Sequence, residues 1–324
     1  MEPDDLSTNI TSQRRQAKTG LKTHRVAVVG TVNWVGVAGD LLRRAGLDAR
    51  PLFVDRRWVP LRALTSRRCI SADAVHMIWG GDVLASLTLK YLLGKRLVWH
   101  WIGSDAVRMG HDRGLRSRMR RYLADQRVVA HFADSPELAK ELGTLGIRAE
   151  VCRLLPASIE AEVMPLPDRF CVLSYWFDDR RTFYGGDMIL QLARELPDLE
   201  FIIAGAEGKG APRLPNVTFL GRLKNLEDVY PRVSVFLRLP EHDSLSAMVL
   251  ESLARGRYVI YNKDFPHCLR ADTLEQVRSA MQEIRRLSKP NRAGAAFVRK
   301  NFSLQREAEC LRRVYGRILA DPAL

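Results

Sequence analysis

Two carboxylates late in the chain have the spacing of a nucleotide cradle. The stretch Pro240 to Ile260 reads as an acidic loop of small residues, a helix closed by Gly256, and a strand. Asp243 lies in the loop and Glu251 on the second turn of the helix, with seven residues between them. The first backbone N–H groups of such a helix, around Ser246, Ala247 and Met248, have no acceptor within it. They sit at the positive end of its dipole and suit a diphosphate. A carboxylate further along can accept hydrogen bonds from ribose hydroxyls. Together these parts describe a site for a nucleotide-diphosphate sugar. Plainer readings stay open: Asp243 also fits a helix N-cap or turn, Glu251 a solvated helix face, and His242 an exposed loop.

The elements that must position these groups alternate between short apolar runs and helical stretches, which predicts parallel α/β sheets. Strands are expected over Arg25–Gly30, Ala49–Val54, Ala74–Trp79, Arg96–Ile102 and Val128–Ala133. Helices fall over Gly36–Ala45, Val83–Leu93, near Arg113–Asp125 and over Pro136–Leu142. The series restarts with strands Phe170–Tyr175, Phe201–Ala204, Val217–Leu220, Ser234–Leu237 and Tyr258–Tyr261, and helices Gly186–Leu196, Ser246–Arg255 and Leu304–Leu319. The proline-bearing segment Leu155–Pro167 is the linker between the halves. This divides the chain into a polar tail (1–23), two Rossmann-like domains (24–160 and 161–305) and a C-terminal helix (306–324). Two doubly wound domains then face each other across a cleft, where ligands bind beyond the carboxyl ends of strands.

Composition narrows the class. The 324 residues are 46% hydrophobic and 27% charged, an ordinary globular balance. The longest apolar stretch, Val26–Gly39, is broken by Gly30, Thr31, Asn33 and Gly36 and is too short for a membrane span. The charged first twenty residues do not read as a secretory signal, so a cytoplasmic location, at the inner face of the membrane, is expected. Five scattered cysteines form no CxxC pair, and seven histidines show no metal-ligand spacing, so no metal is expected. The net charge is +14, with +10 falling in residues 1–160 and +4 in 161–324. Such a field attracts phosphorylated substrates, anionic lipid or nucleic acid.

In order and spacing the segments resemble the GT-B glycosyltransferases, particularly the retaining family 4 and its relatives. Asp243 matches the first acid of the family's donor motif, Ser244, Leu245 and Ser246 its glycine-bearing loop, and Glu251 its second acid. Asn216–Gly221 looks like the strand before the base-binding loop, which adds Gly221 and Arg222 as donor-side candidates. Ala133–Ala139 looks like the serine-bearing turn that ends the first domain's sheet, and Phe302–Leu319 like the crossing helix. The resemblance implies a metal-free, retaining hexosyl transfer from a nucleotide-diphosphate sugar to a glycan, lipid-linked or small-molecule hydroxyl. A UDP-sugar is the first expectation and a GDP-sugar the second, with no separate cofactor.

Several positions depart from the pattern. Asp replaces the first Glu, and serines replace the loop glycines. Tyr184 stands just before Gly185, where the family carries a lysine, so Arg180 or Arg181 would supply the diphosphate's positive partner. His100, two residues before Ile102 and flanked by Trp99 and Trp101, reads as a catalytic cleft residue or as a core histidine. Gly30, Thr31, Asn33 and Asp105 are the acceptor-side candidates.

Partners are the nucleotide sugar, its acceptor and an anionic membrane surface. Leu115, Met119, Tyr122 and Leu123 line one face of a helix bordered by Arg113, Arg116, Arg118, Arg120 and Arg121, a pattern that lies on bilayers. Arg56, Arg57, Trp58, Arg62, Arg67 and Arg68 form a second basic-aromatic group. A lapsed GT-B domain acting as a binding subunit and a basic nucleic-acid-binding protein are the alternatives. No recognition helix, RNP sequence or zinc module supports specific nucleic-acid binding.

Overall fold

A computed structural model describes residues 24–30, 34–53, 65–78, 86–103, 105–106, 114–223 and 225–321. Residues 1–23, Thr31, Asn33, Ser104, Arg113 and the group Arg56, Arg57, Trp58 and Arg62 lie outside them.

The first sheet consists of β1 (Arg25–Gly30), β2 (Asp48–Phe53), β3 (Ala74–Ile78), β4 (Arg96–Trp101), β5 (Val128–Ala133) and β6 (Glu150–Val151). Its order is β2-β1-β3-β4-β5-β6, with every pairing parallel. The second holds β7 (Cys171–Tyr175), β8 (Glu200–Ala204), β9 (Val217–Phe219), β10 (Val235–Arg238), β11 (Tyr258–Tyr261) and β12 (Leu269–Arg270). Its order is β12-β11-β10-β7-β8-β9, again all parallel. Both sheets are doubly wound, and their strand order reverses at β1/β3 and at β7/β10. A crevice at the carboxyl ends of such a switch point is the natural ligand site.

The α-helices of eight or more residues among the described residues are α1 (Trp34–Arg44), α2 (Leu115–Gln126), α3 (Pro136–Thr144), α4 (Gly186–Glu195), α5 (Ala247–Ala254), α6 (Leu274–Arg285), α7 (Arg292–Asn301) and α8 (Leu304–Ala320). Ser135 caps α3 by accepting from the Leu138 amide, with Pro136 in the first turn. The helix expected over Val83–Leu93 is, among the described residues, a π-helical turn at Thr88–Leu92. Its ring is closed by i→i+5 bonds rather than the α pattern. No helix among the described residues is long and apolar enough to cross a membrane.

Helix α8 ties the two halves together. Leu311, Val314 and Ile318, at helical spacing, belong to one apolar cluster with Val26 and Val28 of β1 and Phe236 and Val259 of the second sheet. Polar contacts fix its register on the first domain. Arg312 Nε donates to the Ala45 carbonyl at 3.1 Å. The Glu307 carboxylate accepts from the Arg153 amide at 2.8 Å and from Arg153 Nη1 at 3.2 Å.

Candidate functional site

The second sheet's switch point carries the candidate site. Strand β10 is three buried apolar residues followed by Arg238, itself only 8% exposed. Arg238 stands opposite Tyr261 of β11 in the parallel register. The following loop turns back so that Asp243 Oδ2 accepts from Arg238 Nε and Tyr261 Oη, at 2.9 and 3.0 Å. Arg238 Nη2 lies 2.9 Å from the same oxygen.

The loop after β7 is fastened to this one. Glu241 N donates to the Phe183 carbonyl at 2.8 Å. Gly185 adopts φ +72°, and a Cβ there would fall 2.7 Å from Leu239 Cβ and from the Leu239 carbonyl oxygen. Only glycine satisfies both that conformation and that approach. Asp178 gathers in the loop after β8, accepting from the amides of Glu207, Gly208 and Lys209 at 3.0, 3.0 and 3.1 Å. An open groove of about 450 Å³ follows, lined by Asp178 to Phe183 with Lys209 and Gly210.

Cations here rest on aromatic rings. Tyr175, Phe177, Phe183 and Tyr184 meet edge to face, with centroids 5.0–6.5 Å apart. The guanidinium carbon of Arg180 is 4.1 Å from the Phe183 centroid, that of Arg222 5.0 Å from Phe177, and that of Arg238 4.8 Å from Tyr184. Burial pushes the Tyr175 hydroxyl up to about 12, against the pull of Arg238, Arg222 and Arg180. The hydroxyl therefore stays neutral among three cations. Arg181 is differently placed: its side chain pairs with Asp187 and donates to the Gly210 carbonyl, so it braces the loop. Gly221 takes φ +63° and exchanges backbone bonds with Gly205 and Ala206.

Helix α5 begins beyond the acidic loop. Ser246 occupies its N-cap position with no side-chain cap bond. The amides of Ala247 and Met248 open the helix, where backbone donors lack intrahelical partners. Leu245 and Met248 pack against the core shared by the domains. Ser244 and His242 face the first domain. A Cβ on Gly103 would come within 3.2 Å of Ser244 Oγ, and His242 Nε2 lies 3.3 Å from Glu141 Oε1. Glu251 meets the linker: Ser158 Oγ donates to Oε1, and Tyr230 Oη to Oε2 at 3.3 Å. Burial raises its pKa, opposed by the Ser158 bond and Arg255. Each oxygen keeps a second lone pair for a further donor.

On the first domain the structure corrects the reading of His100 as a catalytic cleft residue. His100 is fully buried and every ring nitrogen is engaged. Its Nε2 lies 2.9 Å from the Cys152 carbonyl, which can only accept, so Nε2 carries the proton. Nδ1 must then accept from His76 Nε2 at 3.2 Å, and His76 Nδ1 from Tyr315 Oη at 2.9 Å. One orientation satisfies the whole chain with both imidazoles neutral. Burial agrees, pushing His100 down to about 3 and His76 well below its usual value. The chain fastens α8 to β3 and β4. Gly30 is likewise a packing residue, since a Cβ would lie 2.7 Å from Val35 Cγ2 and 3.2 Å from Ile78 Cβ. Asp105 braces the turn after β4 by accepting from the Ile102 and Ala106 amides at 3.2 and 3.1 Å, and burial lifts it to about 6.

Sequence reasoning missed Arg238. The strand was expected to stop at Leu237, and nothing local signals that Arg238 pairs with a residue five positions on. Among the described residues no three His, Cys, Asp or Glu side chains gather as a metal site.

With this geometry in place, the architecture is that of the GT-B fold: two Rossmann-like domains facing across a cleft. Solved structures share it over about nine-tenths of the chain. Anabaena HepE in complex with UDP-glucose is 11% identical with a TM-score of 0.69, covering 91% of this chain and 99% of that one. A glycosyltransferase from Rickettsia africae is 10% identical with a TM-score of 0.66, covering 93% and 100%. Sucrose-phosphate synthase from Thermosynechococcus elongatus is 13% identical, also at 0.66, covering 92% and 99%. No protein-family model matches the sequence, and no curated protein matches it.

Proposed function

We propose that the protein is a glycosyltransferase that moves a sugar from a nucleotide-diphosphate donor to a hydroxyl acceptor. The observation that carries this reading is the positive switch point: Arg180, Arg222 and Arg238, the last residue of β10, rest on the aromatic rings of the loop after β7. Preorganised donors and cations of this kind stabilise the charge that develops on a departing diphosphate. Glu251 would take the ribose hydroxyls through its remaining lone pairs. The likeness to HepE, crystallised with UDP-glucose, supports a UDP-sugar, with a GDP-sugar as the alternative donor. The resemblance in the donor motif supports a hexosyl transfer with retention. A thermal-shift panel with UDP, GDP, CDP, ADP and dTDP tests this. One diphosphate should stabilise the wild type selectively and Glu251→Ala much less, and that diphosphate's hexose ester should be turned over. No stabilisation by any of the five would turn the reading to a lapsed domain or a basic-surface binder.

The reading extends to an acceptor presented on an anionic membrane surface. Leu115 and Tyr122, one heptad apart on α2, are 73% and 52% exposed, whereas Leu123 of the expected face is buried. Tyr91 and Leu92 are 53% and 69% exposed, and Arg127 Nε donates to Tyr91 Oη at 2.6 Å, joining that turn to the end of α2. Residues 86–124 carry nine Lys and Arg against two acids, Asp105 and Asp112. Aliphatic tips in a basic field gain from acyl chains as nucleic acid cannot reward them. Co-sedimentation with phosphatidylglycerol vesicles should occur and weaken about tenfold in Leu92→Ser/Leu115→Ser. Absence of binding ends this part of the reading, and salt-sensitive RNA binding indifferent to the two leucines would favour nucleic acid.

A further inference from the structure

Asp243 and Arg238 hold each other in a way that assigns both a different task from the one their positions in the sequence suggest. Asp243 uses Oδ2 for Arg238 Nε, Arg238 Nη2 and Tyr261 Oη together. Its Oδ1 and the Nη1 of Arg238 have no partner among the described residues. A buried pair of this kind seldom adds stability by itself, because desolvating two charges offsets their attraction. Its presence at the end of a central strand calls for another role.

Arg180 and Arg222 lie on Phe183 and Phe177 in no ion pair among the described residues, and Asp243 pairs with Arg238. Asp178, in the loop that carries Arg180, is taken up by the amides of Glu207, Gly208 and Lys209. A rigid cation with a free N–H, stacked on Tyr184 at 4.8 Å, is built to receive phosphate oxygens. Asp243 Oδ2, itself held by Tyr261 Oη, fixes its other two nitrogens, which limits the rotamers it must give up on binding.

We infer that Arg238 is a phosphate-binding residue for the diphosphate group, and that Asp243 is its positioning counter-ion rather than a sugar contact. The inference rests on the nucleotide reading above and deepens it. Arg238 would then read the second phosphate, giving the site preference for a nucleoside diphosphate over the monophosphate. Asp243 acts on ligand only through Arg238.

Calorimetric titration with UDP, UMP and inorganic pyrophosphate tests this on wild type, Arg238→Met, Arg238→Lys, Asp243→Asn and the double variant Arg238→Met/Asp243→Asn. Arg238→Met should weaken UDP and pyrophosphate by about ten- to hundredfold and leave UMP within about twofold, with Arg238→Lys between. Retained UMP binding reports an intact site. The double variant removes both charges, so it avoids a buried unpaired carboxylate should Arg238→Met fold poorly. Asp243→Asn should change UDP affinity several-fold in the wild type and not in the Arg238→Met background. A UDP-to-UMP ratio unchanged by Arg238→Met overturns the inference while leaving the nucleotide reading standing. So does an Asp243→Asn variant that keeps UDP affinity and loses only UDP-sugar affinity. A wild type that binds none of the three probes overturns both.

Discussion

β3 and β10 hold equivalent places, each next to the first strand of its domain across the switch point, and each brings a polar side chain into the protein interior. His76 on β3 enters a chain that closes on itself: Tyr315 hydroxyl, His76, His100, Cys152 carbonyl, with every donor and acceptor matched. Arg238 on β10 cannot become neutral, and it is satisfied on one side only. The difference separates cohesion from recognition. A buried polar group whose valences are all met internally holds elements together. One that keeps a permanent charge and a free N–H awaits a partner from outside.

The sharpest way to break the first half of this comparison is His100→Ala. It removes a buried ring and orphans the His76 Nε2 proton and the Cys152 carbonyl, so it should lower stability by about 2–4 kcal/mol in chemical denaturation. Diphosphate affinity of the folded protein should not change. An equal loss of nucleotide binding would mean that the two regions are one functional unit.

Acid should act on the same region. His100, fully buried, and His131, half-buried, are held neutral by desolvation, pushed down to about 3 and about 4. Their folded values lie below the ordinary value near 6.5, so the unfolded chain takes up protons first. Stability is therefore fully present above about pH 6.5 and falls as pH drops toward 3, by up to about 1.4 kcal/mol per unit per histidine. Measured from pH 7 to pH 4, the stability of His131→Asn relative to wild type should rise as the pH falls. A difference that does not vary with pH would deny that this ring is held neutral.

Asp134, at the end of β5, titrates in the opposite sense. Burial raises it to about 7, although its Oδ1 accepts from the Leu154 amide at 2.7 Å. Its folded value exceeds the unfolded one, so it favours the folded state less and less as pH rises from about 4 to about 7. Asp134→Asn keeps an acceptor for Leu154 and should stabilise the protein by about 1–2 kcal/mol at pH 8, with little effect at pH 4. The smallest effect belongs to Tyr315→Phe, which removes only the proton donated to His76 Nδ1. A loss of about 1 kcal/mol is expected, confined to thermal stability.

What the sequence discloses follows the same division. The βα alternation is legible because apolar runs bounded by glycine and polar residues mark each strand. β6 and β12 escape because two residues make no pattern. Helix α6 escapes although Thr273 and Gln276 form a capping box with both bonds present, a local signal readable as Thr-x-x-Gln. At the site, the spacing of Asp243 and Glu251 is local and therefore visible. Arg238 is legible as a residue but not as a site, since its aromatic stack and counter-ion come from three separate segments. His100 is ambiguous for the same reason. Only the parallel register, pairing Ile78 with His100, brings His76 onto the adjacent strand within reach.

On the proposed function, the charged end of the second sheet receives a diphosphate. Calorimetric titration of UDP, GDP, CDP, ADP and dTDP into the wild type, each beside its own monophosphate, tests it most directly. One diphosphate should bind at least about tenfold more tightly than its monophosphate. Equal affinity for every pair, or no binding by any nucleotide, would contradict the account.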